Sequence, residues 1–283
     1  MIPVLFEIGP FKIYSFGLLL GIGFLLGSYI LSLELKRKKL DPEIASTITI
    51  LAVVFGISGA KILFLIEEWS TFIRNPIGEA FSPGGLTWYG GFILGMTAIS
   101  VYVRRKKIPF LKIWDGLAMG LIMAYGVSRI GCHLSGDGDY GFPTTLPWGT
   151  VYAKGTLPPS RAFASFPEIA SRYPGGVVPD ATPCHPTPVY EFLLGVAGFA
   201  VLWSLRKRPW PDGKMFMVYL MMSSAFRFSV EFLRLNPRLL AGLSEAQLIS
   251  VPLFFAGLAG VYILDRKQAA RTRDDVTAGK QKG

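Results

Sequence analysis

Residues 13–33 read IYSFGLLLGIGFLLGSYILSL, and no acidic or basic side chain interrupts them. About twenty apolar residues in a helix cross the hydrocarbon core of a bilayer, so this stretch predicts a membrane-spanning helix. It lacks the form of a cleavable signal peptide. Nothing basic precedes Lys12, the apolar run is too long, and no small-residue cleavage site follows it. The rest of the chain agrees: of 283 residues, 51% are hydrophobic and only 17% charged, a balance unusual for soluble domains. Six further stretches resemble the first, at about 45–66, 85–103, 113–133, 187–205, 214–233 and 246–264. The expected fold is an all-α polytopic integral membrane protein with about seven transmembrane helices.

Lysine and arginine orient such a bundle, because basic loops resist translocation and stay in the cytoplasm. Lys36, Arg37, Lys38 and Lys39 follow the first stretch; Arg104, Arg105, Lys106, Lys107 and Lys112 separate the third from the fourth. Arg206, Lys207, Arg208 and Lys214 separate the fifth from the sixth, and Arg266, Lys267, Arg271, Arg273, Lys280 and Lys282 follow the seventh. Alternation puts all of these on one side, with the N-terminus outside and the C-terminus in the cytoplasm. The net charge of +10 then follows from orientation and attraction to anionic membrane lipids, and calls for no nucleic acid. Residues 1–265 read as one membrane domain and 266–283 as a basic, mobile cytoplasmic tail. Between the fourth and fifth helices, residues from about 136 to 186 are too rich in proline to span. Aromatics such as Trp148, Tyr152, Phe163, Phe166 and Tyr173 mark them as an ordered outer insert.

Ionisable side chains inside spans are costly and need a reason. In KMFMVYLMMSSAFRFSVEFLRLNPR, residues 214–238, Arg227, Glu231 and Arg234 are spaced four and then three apart and share one helical face. Glu231 neutralises one arginine, and the excess positive charge suits an anion from outside the chain; an internal ion pair with a snorkelling Arg234 is the structural alternative. Arg129, at the outer end of the fourth span, adds a second guanidinium. Two such forks converging at membrane depth would hold a phosphate, and the abundant one there is a phospholipid headgroup. Glycines around Arg129 fit close backbone approach, as do Gly84, Gly85, Gly90 and Gly91 around Tyr89, although tight helix packing explains glycines equally well.

The segment SRIGCHLSGDGDYGFPTTLPWG (128–149), with GGLTWYGG, HPTPVYEFLL, FRFSVEFLR and AQLISVPLFFAG in that order, resembles the bacterial prolipoprotein diacylglyceryl transferase family. The likeness covers nearly all spans. It implies transfer of the diacylglyceryl group of phosphatidylglycerol to the lipobox cysteine thiol of prolipoprotein signal peptides, at the outer side of the bacterial cytoplasmic (inner) membrane, with release of glycerol phosphate. No cofactor and no metal are implied. Carried over by motif, the catalytic candidates are Arg129, Arg227, Glu231, Tyr89 and Asp137, with Asp139 competing for the last place because of a one-residue insertion. Phosphatidylglycerol binding falls to Arg129 and Arg227 with Gly131, Ser135, Gly141 and His185, the last followed by Tyr190 and Glu191. Departures stand at Cys132 and Ser135, each in place of a family asparagine, Phe16 in place of a tyrosine, and Tyr89 in place of a histidine proposed as the base. They leave the phosphate-binding half intact and the proton acceptor open among Tyr89, His185 and His133.

Cys132 and Cys184 both fall on the oxidising side, where a disulfide between them is one expectation. Two rival activities also fit residues in the chain: an intramembrane serine hydrolase using Ser128 with His133 or His185, and a lipid-binding transporter or scaffold lined by the polar face of the sixth helix.

Overall fold

The computed structural model describes residues 1–9, 11–82 and 87–280. Seven long helices carry the fold: α1 (Ser15–Arg37), α2 (Ile44–Glu67), α3 (Trp88–Arg105), α4 (Phe110–Ser135), α5 (Thr187–Leu205), α6 (Lys214–Val230) and α7 (Glu245–Lys280). Among the described residues, six helices are long and apolar enough to cross a membrane: α1, α2, α4, α5, α6 extended through Leu233, and α7 to Arg273. This is a mostly helical, multi-pass membrane protein. The third expected stretch forms α3, 18 residues closed by Arg104 and Arg105. Gly84 and Gly85, read with it, lie outside the described residues, as does Lys282.

The chain divides into two compact units, Ser28–Gly116 and Met1–Gly27 with Leu117–Gly283. In the first, α2 and α3 pack through glycine. A methyl group at Gly59 would strike the Gly90 carbonyl, and one at Gly90 the Gly59 carbonyl. Lipid offers helices no hydrophobic drive to associate, so close van der Waals approach at such small residues does the work. Lys38 Nζ meets Asp115 at 2.7 Å and Arg37 Nε meets the buried Glu34 at 2.7 Å. Between α2 and α3, short helices Trp69–Phe72 and Pro76–Phe81 leave Trp69, Ile73, Ile77 and Phe81 exposed.

The second unit holds α5, α6, α7 and the adjoining parts of α1 and α4. Gly27 and Gly120 bring α1 and α4 together, each facing the other's carbonyl; Gly126 and Gly195 bring α4 and α5 together, each facing the other's Cα. Lys214 Nζ grips Asp265 at 2.6 Å, fixing the register of α6 against α7. The helix α7 has 36 residues, about 54 Å at 1.5 Å per residue. The helix runs to Lys280, past residue 266 where the tail was expected to begin. An N-terminal hairpin, β1 (Val4–Ile8) with β2 (Phe11–Tyr14), precedes α1, and Ile2 N–H donates to the Leu134 carbonyl at 2.8 Å.

Residues 136–186 form an ordered body with its own aromatic core. Tyr140, Tyr152, Phe163, Ile169, Val178 and Cys184 are buried together, and Met1 packs against them. Tyr140 and Tyr152 stack at 4.2 Å between centroids. A two-residue ladder, β3 (Thr150–Val151) with β4 (Pro183–Cys184), closes it. The disulfide expectation fails: both cysteines are free, Cys184 inside this core donating to the Thr182 carbonyl and Cys132 on α4 beside Arg129. Burial pushes the Cys184 thiol up to about 12.

Candidate active site

The helix α4 sets Tyr125 and Arg129 one turn apart, so the guanidinium lies over the Tyr125 ring, 4.7 Å from its centroid. It then ends at Ser135. Gly136 (φ +59°) and Gly138 (φ +93°) adopt left-handed backbone that residues with a Cβ avoid, reversing the chain after the helix. The reversal returns Asp139 to Arg129, ten residues back, and the two bond directly. Thr187 hydroxyl, at the start of α5, donates to the Asp139 carbonyl at 2.6 Å. One turn further along α5, Glu191 points into the same place.

On α6, Arg227 and Glu231 pair at 2.9 Å across one turn. The helix then tightens into a 3₁₀ turn, Glu231–Leu233, and Arg234 leaves it in extended conformation (φ −87°, ψ 155°). Asn236-Pro237 follows, and proline restricts the residue before it to extended backbone. The turn swings Arg234 inward. Its guanidinium bonds Asp139 and donates to Glu191 Oε2 at 3.1 Å.

Three guanidiniums therefore meet three carboxylates. Glu191 is the hub: Arg129 Nε lies 3.2 Å from it, Arg227 Nη1 donates to it at 3.1 Å, Arg234 Nη1 at 3.1 Å, and Tyr125 hydroxyl at 2.7 Å. Side-chain exposure separates two layers. Arg234 (7%), Glu191 (3%) and Glu231 (0%) are sealed, whereas Arg129 (19%), Arg227 (27%) and Asp139 (29%) remain accessible. Among the described residues, Arg129 Nη2 and Arg227 Nε make no hydrogen bond. The expected excess of positive charge is balanced within the cluster, because Glu191 and Asp139 arrive from segments far off in sequence. What remains for an incoming anion is a pair of oriented, partly exposed guanidiniums held from behind.

The residues expected from sequence are placed unevenly. Arg129, Arg227 and Glu231 are in the cluster. Arg234, offered as a snorkelling residue, is 6% exposed and belongs to it. Of the two aspartates, Asp139 joins the arginines and Asp137 does not; Asp137 Oδ1 accepts the Asp139 N–H at 3.3 Å. Burial alone would raise the Asp139 carboxyl, but Arg234 and Arg129 together hold it below the ordinary carboxylate range. Burial and the neighbouring Asp139 carboxylate raise Asp137 instead. Gly141 lets two backbones pass: its N–H donates to the His185 carbonyl at 2.9 Å, it bridges to Arg234, and a Cβ would strike the Leu233 carbonyl. Gly131 faces Phe16 and Leu19 of α1. Ser135 Oγ pairs with Thr156 Oγ1 at 3.2 Å. His185 Nδ1 lies 3.3 Å from Tyr190 hydroxyl, which accepts from Trp148 Nε1 at 2.8 Å, and burial lowers the imidazole's proton affinity. Tyr89 stands exposed on the first turn of α3, in the other unit.

Sequence reasoning passed over Tyr125 and named Glu191 without a task. A tyrosine four residues before a buried arginine, and an acid one turn inside an apolar helix, were the available signals. The serine hydrolase reading fails on geometry. Ser128 Oγ donates to the Tyr125 carbonyl at 2.7 Å, His133 Nδ1 pairs with Tyr152 hydroxyl at 3.0 Å, and His185 with Tyr190. Among the described residues, neither histidine bonds Ser128.

Comparison with known proteins gives the arrangement a lineage. Residues 3–263 match the family model described as prolipoprotein diacylglyceryl transferase. The chain is similar to the phosphatidylglycerol–prolipoprotein diacylglyceryl transferase of Trichormus variabilis, 31% identical over 93% of this chain and 91% of that protein. The enzyme of the same name from Clostridium tetani is 30% identical over 94% of this chain and 97% of that protein. Clostridium perfringens transferase 2 is 32% identical over 90% and 92%. The membrane helices, the arginine–carboxylate cluster and these matches agree that the chain belongs to the prolipoprotein diacylglyceryl transferase family.

Proposed function

We propose that this protein transfers the diacylglyceryl group of phosphatidylglycerol to the lipobox cysteine thiol of a prolipoprotein signal peptide, forming a thioether and releasing glycerol phosphate. The observation that carries the reading is the two-layer cluster, with Arg129 and Arg227 open and held by Glu191, Glu231 and Asp139. A lipid phosphate bound by Arg129 Nη2 and Arg227 Nε meets donors already fixed in direction. As the carbon–oxygen bond to phosphate breaks, charge grows on the leaving oxygen, and preorganised guanidiniums stabilise it more than they stabilise the intact ester. Asp139, bonded to both Arg129 and Arg234, keeps the pair from drifting apart before the lipid arrives. Tyr125 and Arg234 balance Glu191 from behind, so the hub carboxylate does not compete with the phosphate for the open nitrogens. Gly141 and His185 shape the wall beside Arg234.

The topology that suits this chemistry has seven spans, α3 being the seventh. The N-terminus faces outside, the C-terminus lies in the cytoplasm, and residues 136–186 form the outer insert in the bacterial inner membrane. The test is direct. Purified protein is supplied with phosphatidylglycerol and a lipobox peptide, and the product is examined by mass spectrometry. An adduct heavier by one diacylglyceryl group on the cysteine supports the reading; intact peptide, or adducts from a lipid without glycerol phosphate, refutes it.

A further inference from the structure

The cluster accounts for the phosphate but leaves the proton of the incoming thiol without a destination. A thiolate is the reactive form, and a base must stand within hydrogen-bond reach of the sulfur while the sulfur approaches the carbon joined to the phosphate. The described residues offer few acceptors near Arg129. His133 is held by Tyr152 in the aromatic core, and His185 by Tyr190. Glu191 and Glu231 are sealed, and Asp139 is committed through both oxygens, one to Arg129 and one to Arg234.

Asp137 differs from all of them. It is half-buried, sits between Gly136 and Gly138 on the turn that leaves α4, and has no cationic partner among the described residues. One of its carboxylate oxygens, an Asp139 oxygen and Cys132 Sγ lie within 4.8 Å of one another. The carboxylate therefore stands one side chain away from the guanidinium that would hold the phosphate. We propose that Asp137 accepts the proton of the acceptor thiol while Asp139 orders the arginines, a division of labour that rests on the transferase reading above. Two neighbouring carboxylates whose surroundings push them apart in basicity are a recurring sign of separate duties. Here burial and Asp139 make Asp137 the more basic of the two, and the arginines make Asp139 the less. The titratable groups facing Asp137 are Asp139 and Cys132, with Tyr140 and Tyr152 behind it and Arg129 beyond Asp139.

The step balances without a co-reactant. The S–H bond breaks and the proton passes to Asp137. The sulfur lone pair forms the S–C bond as the C–O bond breaks, its electron pair leaving on glycerol phosphate. Asp137 then returns the proton to that phosphate or to water.

The test compares wild type, D137N and D137E in vesicles containing phosphatidylglycerol, with lipobox peptides bearing cysteine or selenocysteine. A selenol is largely ionised at neutral pH and needs no base. With the cysteine peptide, D137N lowers kcat by about 100-fold or more while KM for phosphatidylglycerol stays within about twofold; with selenocysteine, D137N comes within about tenfold of wild type. D137E, which keeps a carboxylate, retains part of the rate and an acid limb in its pH profile, displaced from that of wild type. If wild type makes no adduct, the transferase reading itself falls. If wild type transfers but D137N keeps its kcat, or is equally slow with both peptides, or D137E leaves the acid limb unmoved, Asp137 is not the base.

Discussion

Arg129 and Arg227 differ from lysine in what they can do at one point. Each already places one or two N–H groups on Glu191, Glu231 or Asp139 and still has a nitrogen to offer. Lysine keeps the charge but is a single point with no fork. R129K and R227K are each expected to lower kcat/KM for phosphatidylglycerol by about 100-fold, measured by peptide adduct formation, because one oriented donor is lost where charge develops. Arg234 acts from inside: removing it leaves Glu191 and Asp139 short of a buried partner, and R234A should cost about 3–5 kcal/mol of stability in detergent unfolding. Acid tests Asp139. Its folded-state proton affinity lies below the ordinary carboxylate value of about 4, so its stabilisation is complete at neutral pH. That stabilisation disappears as pH falls below about 4, through the depressed value. The difference in Tm between wild type and D139N should therefore shrink as the pH is taken from 7 toward 3; a constant difference contradicts the ion-pair assignment.

The elements carry these residues only because their ends are fixed. The last turn of α6 has carbonyls with no helical partner, and Gln247 supplies one. Fully buried, Gln247 donates from Nε2 to the Phe228 carbonyl at 3.3 Å and accepts Arg238 Nη1 at 2.9 Å, while Arg238 Nη2 reaches the Glu231 carbonyl at 3.0 Å. Q247A leaves those groups unsatisfied. It should lower stability by about 1–3 kcal/mol and reduce kcat, since Arg234 leaves this turn; full activity at an unchanged Tm would show that the cap does not position the site. In the other unit the contact of Gly59 with Gly90 has no room for a side chain. G90V should separate α2 from α3 at a cost of about 1–3 kcal/mol, read as a lower Tm of the detergent-solubilised protein.

At the scale of the molecule, charge and length decide orientation. The basic runs follow α1, α3, α5 and the apolar part of α7, while the stretch from the end of α2 to α3 holds Arg74 against Glu67, Glu68 and Glu79. In a background with both native cysteines replaced, T71C should react with a membrane-impermeant maleimide added to spheroplasts, and K207C only after lysis. The reverse pattern would invert the proposed topology. The proposed topology would put the turn bearing Asp137 and Asp139 at the outer end of α4, within reach of the proposed lipid and peptide substrates.

Six of the expected spans, the polar face of α6 and the resemblance carried by SRIGCHLSGDGDYG were legible in sequence because each is a local pattern, fixed by helical period or by residues close along the chain. Partner choice was not. Asp139 and Arg234 are 95 positions apart, and Arg234 and Glu191 are 43 apart, so no period relates them. Sequence could count one acid against two arginines on α6; only folding brought Glu191 and Asp139 to neutralise the cluster and buried Arg234 rather than letting it snorkel. Sequence likewise favoured Asp137, with Asp139 only its competitor. Two left-handed glycines aim one at the arginines and leave the other beside them, because backbone direction at a reversal is settled by what the returning chain must pack against. The two cysteines stayed apart for the same reason: one belongs to a helix and the other to the core of a separate fold of chain.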